Sequence, residues 1–123
     1  MKPLALVFYE RLLPGSQLAN RLTDLGYRVQ TLEEAALIVE TARQQRPIVL
    51  LMDLMTRRAN ICDLIKEVRR NEETSHLPII GFAAQSNAPI QDEAVKAGAT
   101  LVAIDDALLP QLPHLLEQAL EVI

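Results

Sequence analysis

The chain of 123 residues has no tryptophan, a single cysteine, four glycines, three lysines and only four aromatic side chains, Phe8, Tyr9, Tyr27 and Phe82. Each scarcity excludes something. Cys62 cannot close an internal disulfide, and no Cys/His cluster has zinc-ligand spacing, which points to a reducing, cytoplasmic setting and away from a structural zinc site. Four aromatics, with sixteen acidic against twelve basic side chains and a net charge of −4, supply neither a stacking platform nor a basic field, so nucleic acid is not an expected partner. The apolar run Leu4 to Tyr9 stops after six residues at Glu10 and Arg11, too short for a signal-peptide core or a membrane span. The glycines form neither G-x-G-x-x-G nor G-x-x-x-x-G-K-[ST], so no nucleotide phosphate loop is present.

What the chain does have is apolar sequence, half of its residues on a broad count, and enough length to bury one core without a covalent or metal staple. One domain over residues 1–123 is expected. Five short apolar runs recur, Leu4 to Tyr9, Tyr27 to Leu32, Ile48 to Met52, Pro78 to Ala84 and Thr100 to Ile104. Between them apolar positions repeat at helical spacing. Leu18, Leu22 and Leu25 stripe the first helix; Ala35, Ile38, Val39 and Ala42 the second; Ile61, Leu64, Ile65 and Val68 the third; Ile90, Ala94, Val95 and Ala97 the fourth; Leu109, Leu112, Leu116, Ala119, Leu120 and Ile123 the last. Gly26 and Gly98 stand where left-handed C-cap residues end helices, and Arg43 and Arg46 precede Pro47 at the negative end of the second helix. Strands alternating with crossover helices imply an α/β, doubly wound, parallel sheet with helices on both faces. The run at Ile48 is apolar at every position, as a central strand must be.

In such sheets ligands and chemistry collect beyond the carboxyl ends of the strands. Those ends carry Tyr9 and Glu10 after the first strand, Asp53 after the third, Ala83 and Ala84 at the fourth, and Asp105 and Asp106 at the fifth. Three of the five are acidic. Glu10, Asp53 and Asp105 therefore form a candidate acidic pocket, with the arginines elsewhere.

Several stretches resemble the receiver domain of two-component response regulators. They are Asp24-Leu-Gly-Tyr-Arg-Val29, Pro47-Ile-Val-Leu-Leu-Met-Asp-Leu-Met55, Asn71 to Gly81 with its Leu77-Pro-Ile-Ile80, and Lys96-Ala-Gly-Ala99. The resemblance covers essentially the whole chain and implies the flavodoxin-like (βα)5 fold, strand order 2-1-3-4-5. It also implies a site in which the aspartate after the third strand takes a phosphoryl group. An acid pair after the first strand joins it in holding Mg²⁺, a Ser/Thr hydroxyl contacts the phosphoryl group, and a lysine after the fifth strand neutralises it. Asp53 matches the phosphoacceptor and Glu10 one of the acid pair. Tyr9 falls at the other acid, Ala83 at the hydroxyl, Val102 at the aromatic switch residue, and Asp105 at the lysine, with Asp106 where the family usually has proline. The loop after Asp53 departs too, with Arg57 and Ile61 at the family's Pro and Gly positions.

The lysine is missing in any register, because Lys2, Lys66 and Lys96 are the only ones and none follows Lys96. Two carboxylates about 6 Å apart at an effective dielectric near 20 repel by roughly 3 kcal/mol, where Lys and Asp would attract by as much. Phosphoryl transfer relies on positioning and charge stabilisation. The favoured expectation is therefore a degenerate receiver, a pseudo-receiver that signals through protein contacts, is not an enzyme, and needs no cofactor or binds Mg²⁺ weakly. One alternative is a working, unusual phosphoacceptor at Asp53. Another is a divalent-cation site using Glu10 and Asp53, with Asp105, and no phosphoryl transfer. Rival doubly wound enzymes lack their residues, since position 55 is Met rather than the second aspartate of a haloacid-dehalogenase-like phosphatase.

The implied partners are a sensor kinase, an output protein or a second copy. Leu108, Leu109 and Leu112, with Leu115 and Leu116, are too many for one stripe about 100° wide, so the leucines are expected to form a partner or homodimer contact with the last strand and helices. Cys62 is expected to be packed, His76 and His114 solvent- or partner-facing, and Arg57, Arg58, Lys66, Arg69 and Arg70 a solvated basic strip.

Overall fold

The computed structural model describes residues 2–57 and 59–121; Arg58 of the basic strip and Ile123 of the last apolar stripe lie outside them. Five strands, β1 (Leu4–Phe8), β2 (Arg28–Leu32), β3 (Val49–Asp53), β4 (Ile79–Ala83) and β5 (Leu101–Ile104), alternate with helices. The helices are α1 (Leu12–Asp24), α2 (Ile38–Gln45, entered through a 3₁₀ turn at Ala35–Leu37), α3 (Ile61–Arg70), α4 (Ala88–Ala97), α5 (Asp105–Leu108) and α6 (Leu112–Glu121). All strand pairs are parallel in the order β2-β1-β3-β4-β5, as expected from the sequence.

The three central strands are buried at every position because helices cover both faces. Alternate residues feed two cores. Leu6, Phe8, Leu50, Met52 and Ile79 pack with Ile38, Ile61, Ile65, Val68 and Ala94 of α2, α3 and α4. Ala5, Val7, Val49, Leu51, Ile80 and Phe82 pack with Leu18, Leu22, Leu112 and Leu116 of α1 and α6. The same alternation sends Asp53 to the side of Val49 and Leu51, toward the start of α1.

Helix ends follow local chemistry. Asn60 and Asn87 accept the backbone N–H of Asp63 (3.2 Å) and Ile90 (3.3 Å), capping α3 and α4. Gly26 and Gly98 take the positive φ foreseen for them, 96° and 128°. Arg46 does so as well at 48°, and serves α2 as its left-handed cap, while Arg43 pairs with Glu40 (2.9 Å) and Glu73 (3.6 Å).

Three expectations need correction. Val95 is exposed, so the fourth apolar stripe is narrower than its sequence. Arg69 is not part of a solvated strip, because its guanidinium turns inward to the loops before β4 and β5. The leucines near the end are not surplus. The last helix is broken between Leu108 and Leu112 into two short pieces, and Leu108, Leu112, Leu115 and Leu116 are all buried, with Leu109 packing partly against them. A single continuous stripe was the wrong geometry, and these leucines do not supply a docking face. Cys62 is packed against the core as expected, and burial, then the charge of Glu93, pushes its thiol pKa up. His76 and His114 are exposed.

Leu108→Ala is expected to lower stability by about 2–5 kcal/mol, read from urea denaturation, with the oligomeric state in sedimentation unchanged. A near-neutral Leu108→Ala would place this side chain outside the core.

Candidate functional site

The site is assembled by the chain leaving β1. The ring of Tyr9 lies on Gly15 in the first turn of α1, so close that a β-carbon there would clash with it. With Tyr9 folded back, the next two backbone N–H groups point at Asp53 Oδ2, Glu10 at 3.3 Å and Arg11 at 3.1 Å. After β3 the ladder continues one step, with Leu54 N–H donating to the Phe82 carbonyl at 2.9 Å, and Met55 N–H donates to Asp53 Oδ1 at 3.0 Å.

The side chain of Arg11 completes the arrangement. Its Nη2 donates to Asp53 Oδ1 at 2.8 Å, and its Nε contacts both oxygens at 3.1 and 3.2 Å. The far edge of the guanidinium holds Asp105, Nη1 to Oδ2 at 2.7 Å and Nη2 to Oδ1 at 3.2 Å. Asp53 is 0% exposed, while Arg11 and Asp105 side chains are 31% and 24% exposed. Burial lowers the Arg11 pKa, but hydrogen bonds and charge from Asp105 and Asp53 outweigh it and raise the guanidinium above its ordinary value. The sign is that of a group stabilising the fold while protonated, so this contribution is present throughout the physiological pH range.

The structure does bring Asp53 and Asp105 to one mouth, but the picture of acids alone, with arginines elsewhere, is corrected. Arg11 stands between them and turns the expected repulsion into two attractions. The sequence signal that could point to it is a base next to Glu10 at a strand end, opposite an acid where the resemblance implies a lysine. The Glu10 carboxylate engages the loop after β3, its Oε2 accepting from Thr56 Oγ1 and from the Arg57 N–H (3.0 Å). Ala83 is in the core, Val102 packs partly against it, and Tyr9 belongs to the opposite core layer.

A magnesium ion asks for several oxygen ligands around open coordination positions. The residues present do not fit it. Both oxygens of Asp53 are occupied by donors, Glu10 is committed to Thr56 and Arg57, and a guanidinium cation sits among them. Among the described residues no group of three Asp, Glu, His or Cys side chains is placed to hold a metal. The pair expected from sequence, Glu10 and Asp53, thus has its carboxylate oxygens taken up by protein donors in this structure.

No family model matches the chain, and no curated protein is similar to it. Solved structures are. The receiver domain of a sensor histidine kinase from Pseudomonas aeruginosa, which carries a magnesium ion in its active-site cleft, superposes with a TM-score of 0.88 at 21% identity, covering 98% of this chain and 99% of that one. The receiver domain of NtrX from Brucella abortus gives 0.85 at 20% identity over 97% and 99%. A chemotaxis response regulator of Vibrio cholerae gives 0.78 at 19% over 94% and 99%. The chain thus has the fold of response-regulator receiver domains, as its motifs implied.

Arg11→Ala is expected to cost about 3 kcal/mol, because it leaves the Asp53 carboxylate buried without its cation. Asp105→Ala, which removes the outer, partly exposed partner and leaves Arg11 on Asp53, is expected to cost about 1 kcal/mol or less. Equal losses in urea denaturation would contradict this ranking.

Proposed function

We propose that the chain is a signalling module with the receiver fold that works through protein contacts, without the Mg²⁺-dependent phosphorylation of an aspartate. One observation carries the reading: the carboxylate at the phosphoacceptor position is 0% exposed, and both its oxygens already accept hydrogen bonds from Arg11 and from backbone N–H groups. In-line attack on a phosphoryl group needs a free carboxylate lone pair and room for the incoming phosphorus. Here Arg11 takes the lone pairs, Asp105 replaces the cation that would meet the phosphoryl oxygens, and Ala83 brings no hydroxyl.

In this reading the chain is no enzyme and acts in the cytoplasm. Among the described residues no helix is long and apolar enough to cross a membrane. Its partner is a sensor kinase, an output protein or a second copy. Leu108, Leu112, Leu115 and Leu116 do not provide the contact in this reading, since they are in the core.

Incubation with acetyl phosphate and Mg²⁺, beside a working receiver domain as a positive control, is expected to leave the intact mass unchanged. Beryllofluoride is expected to leave sedimentation and NMR spectra unchanged. A prompt gain of one phosphoryl group that disappears in Asp53→Asn would overturn the proposal in favour of a working phosphoacceptor.

A further inference from the structure

At the opposite ends of the strands, where β3, β4 and β5 begin, lies a cavity of about 700 Å³. This is within the range of small-molecule sites, about 300–1,000 Å³, and none of its lining residues serves Asp53. Part of its wall is apolar: Ile48, Pro78 and Leu120 line it, and Ile48 is left 37% exposed although it immediately precedes a central strand.

The polar part is unusual in sign. Arg69 lines the cavity and is held by the carbonyl oxygens of Gly98 (2.9 Å), Ser75 (3.1 Å) and Leu77 (2.6 Å) and by Thr100 Oγ1 (3.2 Å). These acceptors are all neutral, and no carboxylate pairs with Arg69 among the described residues. Four of its five N–H groups are engaged, which fixes the guanidinium plane and leaves one donor. Thr100 Oγ1 accepts from Arg69 and from the Ile79 N–H (3.0 Å), so its own proton meets no acceptor among the described residues. Ser75 and exposed His76 add further polar groups, and among the described residues no acidic side chain lines the cavity. A half-buried cation compensated only by dipoles favours an anion beside it.

We propose that this cavity is a binding site for a small amphipathic anion, a carboxylate on a hydrocarbon or aromatic body. The carboxylate meets Arg69 and Thr100, and the apolar body lies along Ile48, Pro78 and Leu120. Decanoate is the probe, titrated into the ¹⁵N-labelled full chain. Saturable amide shifts are expected at Ser75, His76, Thr100 and Leu120, and none at Glu10, Asp53 or Asp105. Decanol, with the same chain and no charge, is expected to bind at least about tenfold more weakly. Ile48→Glu, which adds an acid to the wall and leaves Arg69 in place, is expected to weaken decanoate by about tenfold, whereas Ile48→Lys retains it. Absence of a saturable shift, equal binding of decanol, or indifference to Ile48→Glu would overturn the proposal.

Discussion

The guanidinium of Arg11, held between Asp53 and Asp105, is the contact on which the carboxyl end of the sheet depends. Three loops meet there: the one leaving β1, the one leaving β3 and the start of α5. Asp53 gathers them because it is the only buried carboxylate among the described residues and must be satisfied by donors from whichever segments reach it. A carboxylate with no solvent needs a cation, and the chain supplies it from the residue that opens α1. The exposed half of the interaction, Arg11 with Asp105, adds direction more than energy, since it sets which edge of the guanidinium faces Asp53.

Where the resemblance implies a cation after β5, this chain has Asp105, and its cation, Arg11, follows β1. An acid at the end of β5 and a base after β1 restore the local balance with the partners transposed. The two cores beneath are made of apolar side chains and include none of the three charged groups. Chemistry at the strand ends and packing within the strands are thus separable here, as they commonly are in open α/β sheets.

Strand order was implied by the resemblance alone, whereas helix alternation, the two glycine caps and the burial of Asp53's strand were legible in the sequence, because period and length constrain them directly. Three kinds of feature were not. The break between Leu108 and Leu112 reverses the meaning of the leucines, and apolar counting assumes a continuous helix. Arg69 reads as one of a basic pair on a surface helix, and only the loops before β4 and β5 reveal that its carbonyl partners lie inward. Arg11 escapes a reading of charge by position, because its long side chain reaches across strand ends that are far apart in sequence.

The carbonyl cage around Arg69 has a mechanical consequence. One side chain near the end of α3 ties the turn after that helix, the approach to β4 and the approach to β5, and Gly98 packs against its stem. Thr74 adds a second tie, donating to the Val68 carbonyl at 2.7 Å. Segments that would otherwise fray independently are coupled into one cooperative unit, so the last turn of α3 cannot open without releasing the entries to two strands at once.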